Sequence, residues 1–313
     1  MITLRDLTKR YGERVAVDRL TFDIAEGQVT GFLGPNGAGK STTMRMILGL
    51  DHPSRGEALI DGRPYSAYRH PLREVGTLLD AKALHPTRSA RSHLLAQARS
   101  NGISAKRVDD VLETVGLATV ARRRTGAFSL GMYQRLGIAG ALLGDPKVLV
   151  LDEPVNGLDP DGVRWVRDLV REQAAEGRTV FLSSHLMSEM QLTADRLVII
   201  GKGRLLADRP MTELLASSSR TSVRVHVPGQ EGLRHLVEHL TGRPSVEVAS
   251  AGEGLVDIKG CGAGEVGDLA HRLGVRLHEL RTISASLEDA YMELTARSVE
   301  YGVASEPAPK ERV

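Results

Sequence analysis

Gly34-Pro35-Asn36-Gly37-Ala38-Gly39-Lys40-Ser41 lies between an apolar run, Gln28–Leu33, and a segment that reads as a helix from Lys40 to about Leu50. Gly-x-x-x-x-Gly-Lys-Ser between a strand and a helix is a phosphate-binding loop. Its glycines let successive backbone N–H groups curl around the α- and β-phosphates of a nucleotide, where side chains would block the approach. The helix that follows aims the positive end of its dipole at the same anions. In this pattern Lys40 reaches the β- and γ-phosphates, the Ser41 hydroxyl ligates Mg²⁺, and Thr42 adds a donor on the α-phosphate side.

A second apolar run, Lys147–Leu151, ends in Asp152-Glu153. Alone, two acids closing a strand are an ordinary sheet edge. Beside a phosphate-binding loop they become a working pair: Asp152 holds Mg²⁺ directly or through water, and Glu153 orients and deprotonates the attacking water. Further strands are read at 2–7, 15–24, 57–61, 179–183 and 196–200, with a turn at Tyr11-Gly12 and helices at 162–176 and 186–193. Strands alternating with helices predict an α/β domain with a mostly parallel sheet. From about Ala81 to Leu143 the texture changes to Ala-, Arg- and Leu-rich helices, with apolar spacing at 93–98 and 108–115.

A boundary is expected near 212–220, at TELLASSSR. Beyond it the pattern reads strand 222–227, helix 231–240, strands 245–250 and 255–259, helix 263–273 and strand 275–283. That βαββαβ order predicts a small α+β domain of ferredoxin-like form. A last helix, about 285–297, places Leu287, Ala290, Tyr291 and Leu294 on one stripe, and the tail 299–313 reads as disordered. The division is therefore 1–213, with its helical subdomain at about 81–143, and 217–298.

Composition narrows the function classes. With 41% hydrophobic and 26% charged residues over 313 positions, the chain has ordinary globular usage. No run approaches the roughly 18 apolar residues of a membrane span, so the chain is not itself a pore. The N-terminus lacks the apolar core of a signal peptide, which places the chain in the cytosol. Net charge is only +2, and Arg122-Arg123-Arg124 has no interleaved aromatics, so it reads as a solvated turn and no nucleic-acid partner is expected. The single cysteine excludes an intrachain disulfide.

Ser129-Leu130-Gly131-Met132-Tyr133-Gln134, ahead of a helical run through Leu143, completes a set of motifs. Over about residues 1–210 the chain resembles the ATP-binding subunits of ATP-binding-cassette (ABC) transporters. The motifs stand in family order: an aromatic loop at Tyr11, the phosphate-binding loop, an equivalent of the glutamine loop at Asp80, the signature at 128–132, the acidic strand, the Asn156–Asp159 loop and the switch histidine His185. The resemblance implies that Tyr11 stacks on adenine, that Ser129 and the Gly131 backbone bind the γ-phosphate held by a partner protomer, that Asp159 links the two sites, and that His185 contacts the γ-phosphate and helps hold Glu153 and the water. It also implies the P-loop NTPase fold of ABC ATPases.

Two motifs depart from the family pattern. Asp80 replaces the usual glutamine as a hard oxygen ligand for Mg²⁺ or water, shorter and charged. The signature reads Phe-Ser-Leu-Gly-Met in place of Leu-Ser-Gly-Gly-Gln. This variant, with the ending Ser286–Tyr291, is similar to the drug-export branch that includes daunorubicin- and bacitracin-resistance ATPases. The resemblance thus implies an ATPase homodimer at the cytoplasmic face of the membrane, powering a separate export permease with ATP and Mg²⁺. The alternatives are an importer subunit or a soluble ABC ATPase outside transport.

Overall fold

The structure, a computed structural model, describes residues 1–80, 84–216, 221–243, 245–283 and 285–300, with side chains through Thr295. In chain order the first elements are β1 (Ile2–Tyr11), β2 (Arg14–Ile24), β3 (Val29–Leu33), α1 (Lys40–Ile47), β4 (Arg55–Ile60) and β5 (Val75–Leu78). Three helices follow, α2 (Ala90–Ser100), α3 (Ala105–Thr114) and α4 (Leu130–Leu142). Then come β6 (Val148–Asp152), α5 (Pro160–Ala175), β7 (Thr179–Ser183), α6 (Met187–Thr193), β8 (Arg196–Gly201), β9 (Arg204–Pro210) and α7 (Met211–Ala216).

β3 and β7 are buried at every position. Such uninterrupted apolar strands belong in a sheet covered on both faces. They lie centrally in a six-stranded sheet of order β5-β6-β7-β3-β8-β9, parallel except for the β8–β9 pairing at its edge. β1 and β2 alternate in burial and join β4 in a separate antiparallel sheet, β2-β1-β4. The two sheets share one core with α1. Phe22 from the small sheet meets Phe32 and Phe181 from the large one, at ring-centroid distances of 6.0 and 6.4 Å. Ile2, Leu4, Met44, Ile47, Val150 and Val198 complete the packing. This core is what fixes the loop after β3 against the ends of its neighbours.

The helical region begins each helix on a serine. Ser89, Ser104 and Ser129 are the N-caps of α2, α3 and α4, accepting from the amides of Ser92, Arg107 and Met132. Each such cap satisfies an otherwise orphaned N–H, a contribution of about 1 kcal/mol. The three helices pack on one another, burying Leu94, Val108, Leu112 and Leu136. Arg122, Arg123 and Arg124 form the expected exposed turn before α4.

The chain divides into two compact units, and the division falls after Met211, the first residue of α7. The second unit contains β10 (Ser222–His226), α8 (Gln230–Thr241), β11 (Glu247–Gly252), β12 (Leu255–Lys259), α9 (Ala263–Arg272), β13 (Glu279–Ile283) and α10 (Leu287–Glu300). Its sheet order is β11-β12-β10-β13, antiparallel at each pairing, the ferredoxin-like arrangement. α8 and α9 bury Leu236, Leu240, Val266 and Leu269 with Val223, Val225, Val256 and Ile258. The residues between them on the strands are polar: Arg224 pairs with Asp257, its cross-strand neighbour, at 2.8 Å.

Several boundaries differ from expectation. The first helix stops at Ile47 because the chain turns at Gly49, φ +64°. Tyr11 closes β1 instead of sitting in the turn. The strand expected at 275–283 forms only from Glu279. β5 and β9 are additional strands. The last helix runs to Glu300, into the expected tail of 299–313, of which 301–313 lie outside the described residues. Residues 81–83, at the expected start of the helical region, lie outside them too.

Candidate functional site

The loop after β3 needs a left-handed backbone twice, at Gly37 (φ +80°) and Gly39 (φ +106°). A β-carbon at Gly39 would lie 2.6 Å from the Ala16 carbonyl, so no other residue fits there. At Gly37 nothing stands within 4 Å of that position, so the inner face of the loop is open. Gly39 also caps α1, with no side chain engaging the first-turn amides. Lys40 is buried and folds back over the loop, donating from Nζ to the Gly34 carbonyl at 2.7 Å and the Pro35 carbonyl at 3.5 Å. Ala38 is buried beneath.

Sheet order brings the acidic pair to this loop. β6 is two strands from β3, about 10 Å at ordinary strand spacing, with β7 between them. Ser41, in the first turn of α1, donates to Asp152 Oδ2 at 2.7 Å. Ser183, Asp152's register neighbour at the end of β7, donates to the other carboxylate oxygen. Glu153 turns away from the strand with φ +50°, a strained conformation for a residue with a side chain. Its amide donates to Ser183 Oγ at 3.0 Å. Its Oε2 accepts from the His185 amide at 3.3 Å and lies 2.7 Å from His185 Nδ1.

These groups open onto a cleft of about 530 Å³, lined by Tyr11, Arg14, Ala16, Asn36, Gly37, Gly39, Lys40, Ser41, Thr42, Asp152 and Glu153. Tyr11 presents about half of its surface, and its hydroxyl donates to Asp51 at 3.1 Å. Partial burial, then the Asp51 carboxylate, push the Tyr11 phenol above its ordinary pKa. Arg45, bonded to Asp51 at 2.8 Å, holds that carboxyl below the usual range.

Eight expected site residues are not among those lining this cleft: Gly34, Pro35 and Ala38 of the loop itself, His185, which bonds to Glu153, and Ser129, Gly131, Asp159 and Asp80. Ser129 caps α4 and Gly131 lies in its first turn. Asp159 caps α5, accepting from the Gly162 amide at 2.8 Å. Asp80 follows β5, whose Leu78 registers with Leu151, so it stands at the same sheet edge as the acidic pair but one strand further out. Ser183, Arg14 and Gln134 were not singled out from the sequence. Among the described residues no three acidic, His or Cys side chains cluster as a metal cage. Ser41 and Asp152 instead fit a Mg²⁺ that takes its other ligands from phosphate and water.

The ABC transporter family profile matches residues 17–156, across the loop and the acidic pair. An uncharacterized ABC transporter ATP-binding protein of Bacillus subtilis, YhcH, is 37% identical over 96% of this chain and 97% of its own length. This chain is an ABC transporter ATP-binding protein. The bacitracin transport ATP-binding protein of Bacillus licheniformis is 44% identical over 68% of this chain and 71% of its length. The Nod factor export ATP-binding protein I of Burkholderia orbicola is 35% identical over 96% and 98%. A solved ATP-binding subunit of an ABC transporter superposes with a TM-score of 0.64 at 28% identity, over 69% of this chain and 92% of that one. The dimeric bacterial cassette MJ0796 superposes at 0.63 and 25% identity, over 67% and 99%. A domain family of unknown function matches residues 221–288, the βαββαβ unit. The ABC ATP-binding protein is an ATPase of the P-loop fold, and none of its described helices is long and apolar enough to cross a membrane.

Proposed function

We propose that this ABC ATPase works as a Mg²⁺-dependent homodimer at the cytoplasmic face of the membrane and drives export of an antibiotic or related hydrophobic compound through a separate permease. The supporting observation is the joining of Ser41, Asp152, Ser183, Glu153 and His185 into one hydrogen-bonded array beside the phosphate-binding loop. The export direction is supported by a relative named for Nod factor export, and the cargo class by relatives named for bacitracin and lantibiotic transport.

In this reading Lys40 and the loop amides of 34–39 bind the phosphates, and Tyr11 packs on the adenine. Ser41 and Asp152 hold Mg²⁺, with Asp80 a further oxygen donor. Bound there, Mg²⁺ neutralises charge on the phosphate oxygens. Glu153 orients the attacking water and takes its proton. His185 fixes one oxygen of that carboxylate and aims its other ring nitrogen at the γ-phosphate. Ser129 and Gly131 lie outside the chain's own cleft, as needed if they close over the nucleotide of a second copy. Asp159 would meet that copy at the same face. Residues 1–213 carry the nucleotide chemistry, 81–143 face the permease, and 217–298 serve as an accessory docking domain.

Glu153→Gln tests this. It keeps size and hydrogen bonding but removes the base, so hydrolysis should fall by roughly 10²–10⁴. With Lys40, Ser41, Asp152 and Ser129 untouched, the mutant should shift towards twice the monomer mass in Mg²⁺ and ATP, and not in ADP, by light scattering. Hydrolysis at the wild-type rate would remove Glu153 from the mechanism.

A further inference from the structure

Gln134 is buried in α4, with 6% of its surface exposed, and its side chain leaves the helical region. Its Nε2 donates to two backbone carbonyls, Glu153 O at 3.1 Å and Asn156 O at 3.1 Å. Its Oε1 is buried with no hydrogen-bond partner. A buried amide satisfied at only one end is costly where packing alone is needed, since an apolar side chain of the same shape would avoid that cost. The bonds to residues 153 and 156 are what this position offers in return.

Those bonds fall on the strained part of the site. The Glu153 peptide has φ +50°, its amide is held by Ser183 and its carbonyl by Gln134. The two bonds enforce a conformation that the residue would not adopt freely. A second contact runs between the same two segments. A β-carbon at Gly157 would lie 2.1 Å from Leu130 Cδ2, so Leu130, which stands where the usual signature has glycine, seats directly on Gly157. α4 therefore grips the 153–157 turn at two points, one polar and one apolar, within its first turn and a half after Ser129.

We infer that Gln134 is a positioning residue: it holds the Glu153 peptide in its working geometry and ties the signature helix to the chain's own catalytic carboxylate. This rests on the reading of Glu153 as the base and Ser129 as the group that meets the partner's nucleotide. Movement of α4 when Ser129 engages the partner-bound phosphate is then passed through Gln134 to Glu153, so each site senses the closure of the other.

Full-length wild type, Gln134→Met and Gln134→Glu are compared in steady-state Mg-ATP hydrolysis, with ATP binding followed by thermal shift. Gln134→Met keeps the volume and removes the donor. Its kcat should fall by roughly 10- to 100-fold, as for a small misplacement of a catalytic group, while KM and the ATP-induced shift stay within about twofold because the phosphate-binding loop is untouched. Gln134→Glu faces two carbonyls with a carboxylate, which burial and those oxygens drive towards protonation. The protonated form can donate again, so its kcat relative to wild type should rise as pH falls from about 8 to about 6. Wild-type kcat in both variants, or losses in KM and kcat together with no pH rescue, would overturn the inference. Absence of ATP binding and turnover in the wild type would instead fault the underlying functional reading.

Discussion

Two open cavities among the described residues are of similar size, and the larger of them is the poorer site. The nucleotide cleft of the first unit encloses about 530 Å³; a groove of about 650 Å³ in the second runs between α8 and the turn after α9. Arg234, His235, Glu238 and Arg276 line that groove, all exposed. The Arg234 and Arg276 side chains make no hydrogen bond or ion pair among the described residues. In the cleft, Asp152 is held by Ser41 and Ser183, and Glu153 by His185 and by both ends of its own peptide. Groups fixed in advance need not be ordered when a ligand arrives, which is where catalytic geometry comes from. Volume measures room. Convergent, immobilised polar atoms measure chemistry.

Lys40→Ala is the strongest test of that contrast. It removes the cation folded over the loop, and hydrogen bonds to charged groups contribute up to about 3 kcal/mol each. ATP affinity should fall by roughly 100-fold or more, and the ATP-induced thermal shift should vanish. An unchanged shift with full turnover would show that the cleft is not where ATP binds.

Leu236→Ala asks whether the second unit matters to that chemistry. Leu236 is wholly buried in the core of the βαββαβ unit, so its loss should destabilise that unit by about 2–5 kcal/mol. ATP affinity should stay within about twofold, and a chain ending near residue 216 should still bind ATP. Loss of binding in either folded protein would mean that the cleft depends on the second unit.

How much of this was legible in the sequence follows from how local each signal is. The phosphate-binding loop, the acidic strand and the βαββαβ order are written in consecutive residues, and all three are found. β5 escapes because it is four residues long and includes Gly76, and β9 because it ends in Pro210, a residue suited to edge strands. Glu153 could be named from its neighbours, but its strained φ could not, since Gln134 and Ser183 impose it from 19 and 30 positions away. Gln134 did leave a signal: with Arg135 it is one of two adjacent polar residues on a mostly apolar helix, five positions after Ser129. Asp80 is expected from its place in the motif order as an oxygen ligand, but its position one strand beyond Asp152 depends on sheet order, which no local pattern encodes.

Asp80 gives the next smaller effect. It sits one strand beyond Asp152, at the edge of the site rather than on the cleft wall. If it acts as an oxygen ligand, Asp80→Gln should keep turnover of the permease-coupled enzyme within about threefold, and Asp80→Ala should lose about tenfold, the scale for a supporting ligand. Equal rates for all three proteins would make Asp80 a bystander, and the working array would end at Asp152.

The smallest effect is expected in the groove of the second unit. Arg234 and Arg276 are exposed, so reversing both charges breaks no pair that the folded chain relies on. Surface changes of this kind stay within about 0.5 kcal/mol each. The Arg234→Glu, Arg276→Glu double variant should therefore unfold within a few degrees of wild type and hydrolyse ATP within about twofold, measured by calorimetry and phosphate release. Glu231 and Glu238 already line the same groove, so two further acids leave it strongly acidic and would expel any anionic partner. A drop in turnover well beyond twofold, with stability intact, would show that the groove's charges act on the nucleotide site, and the contrast between an immobilised cleft and a merely roomy groove would fail.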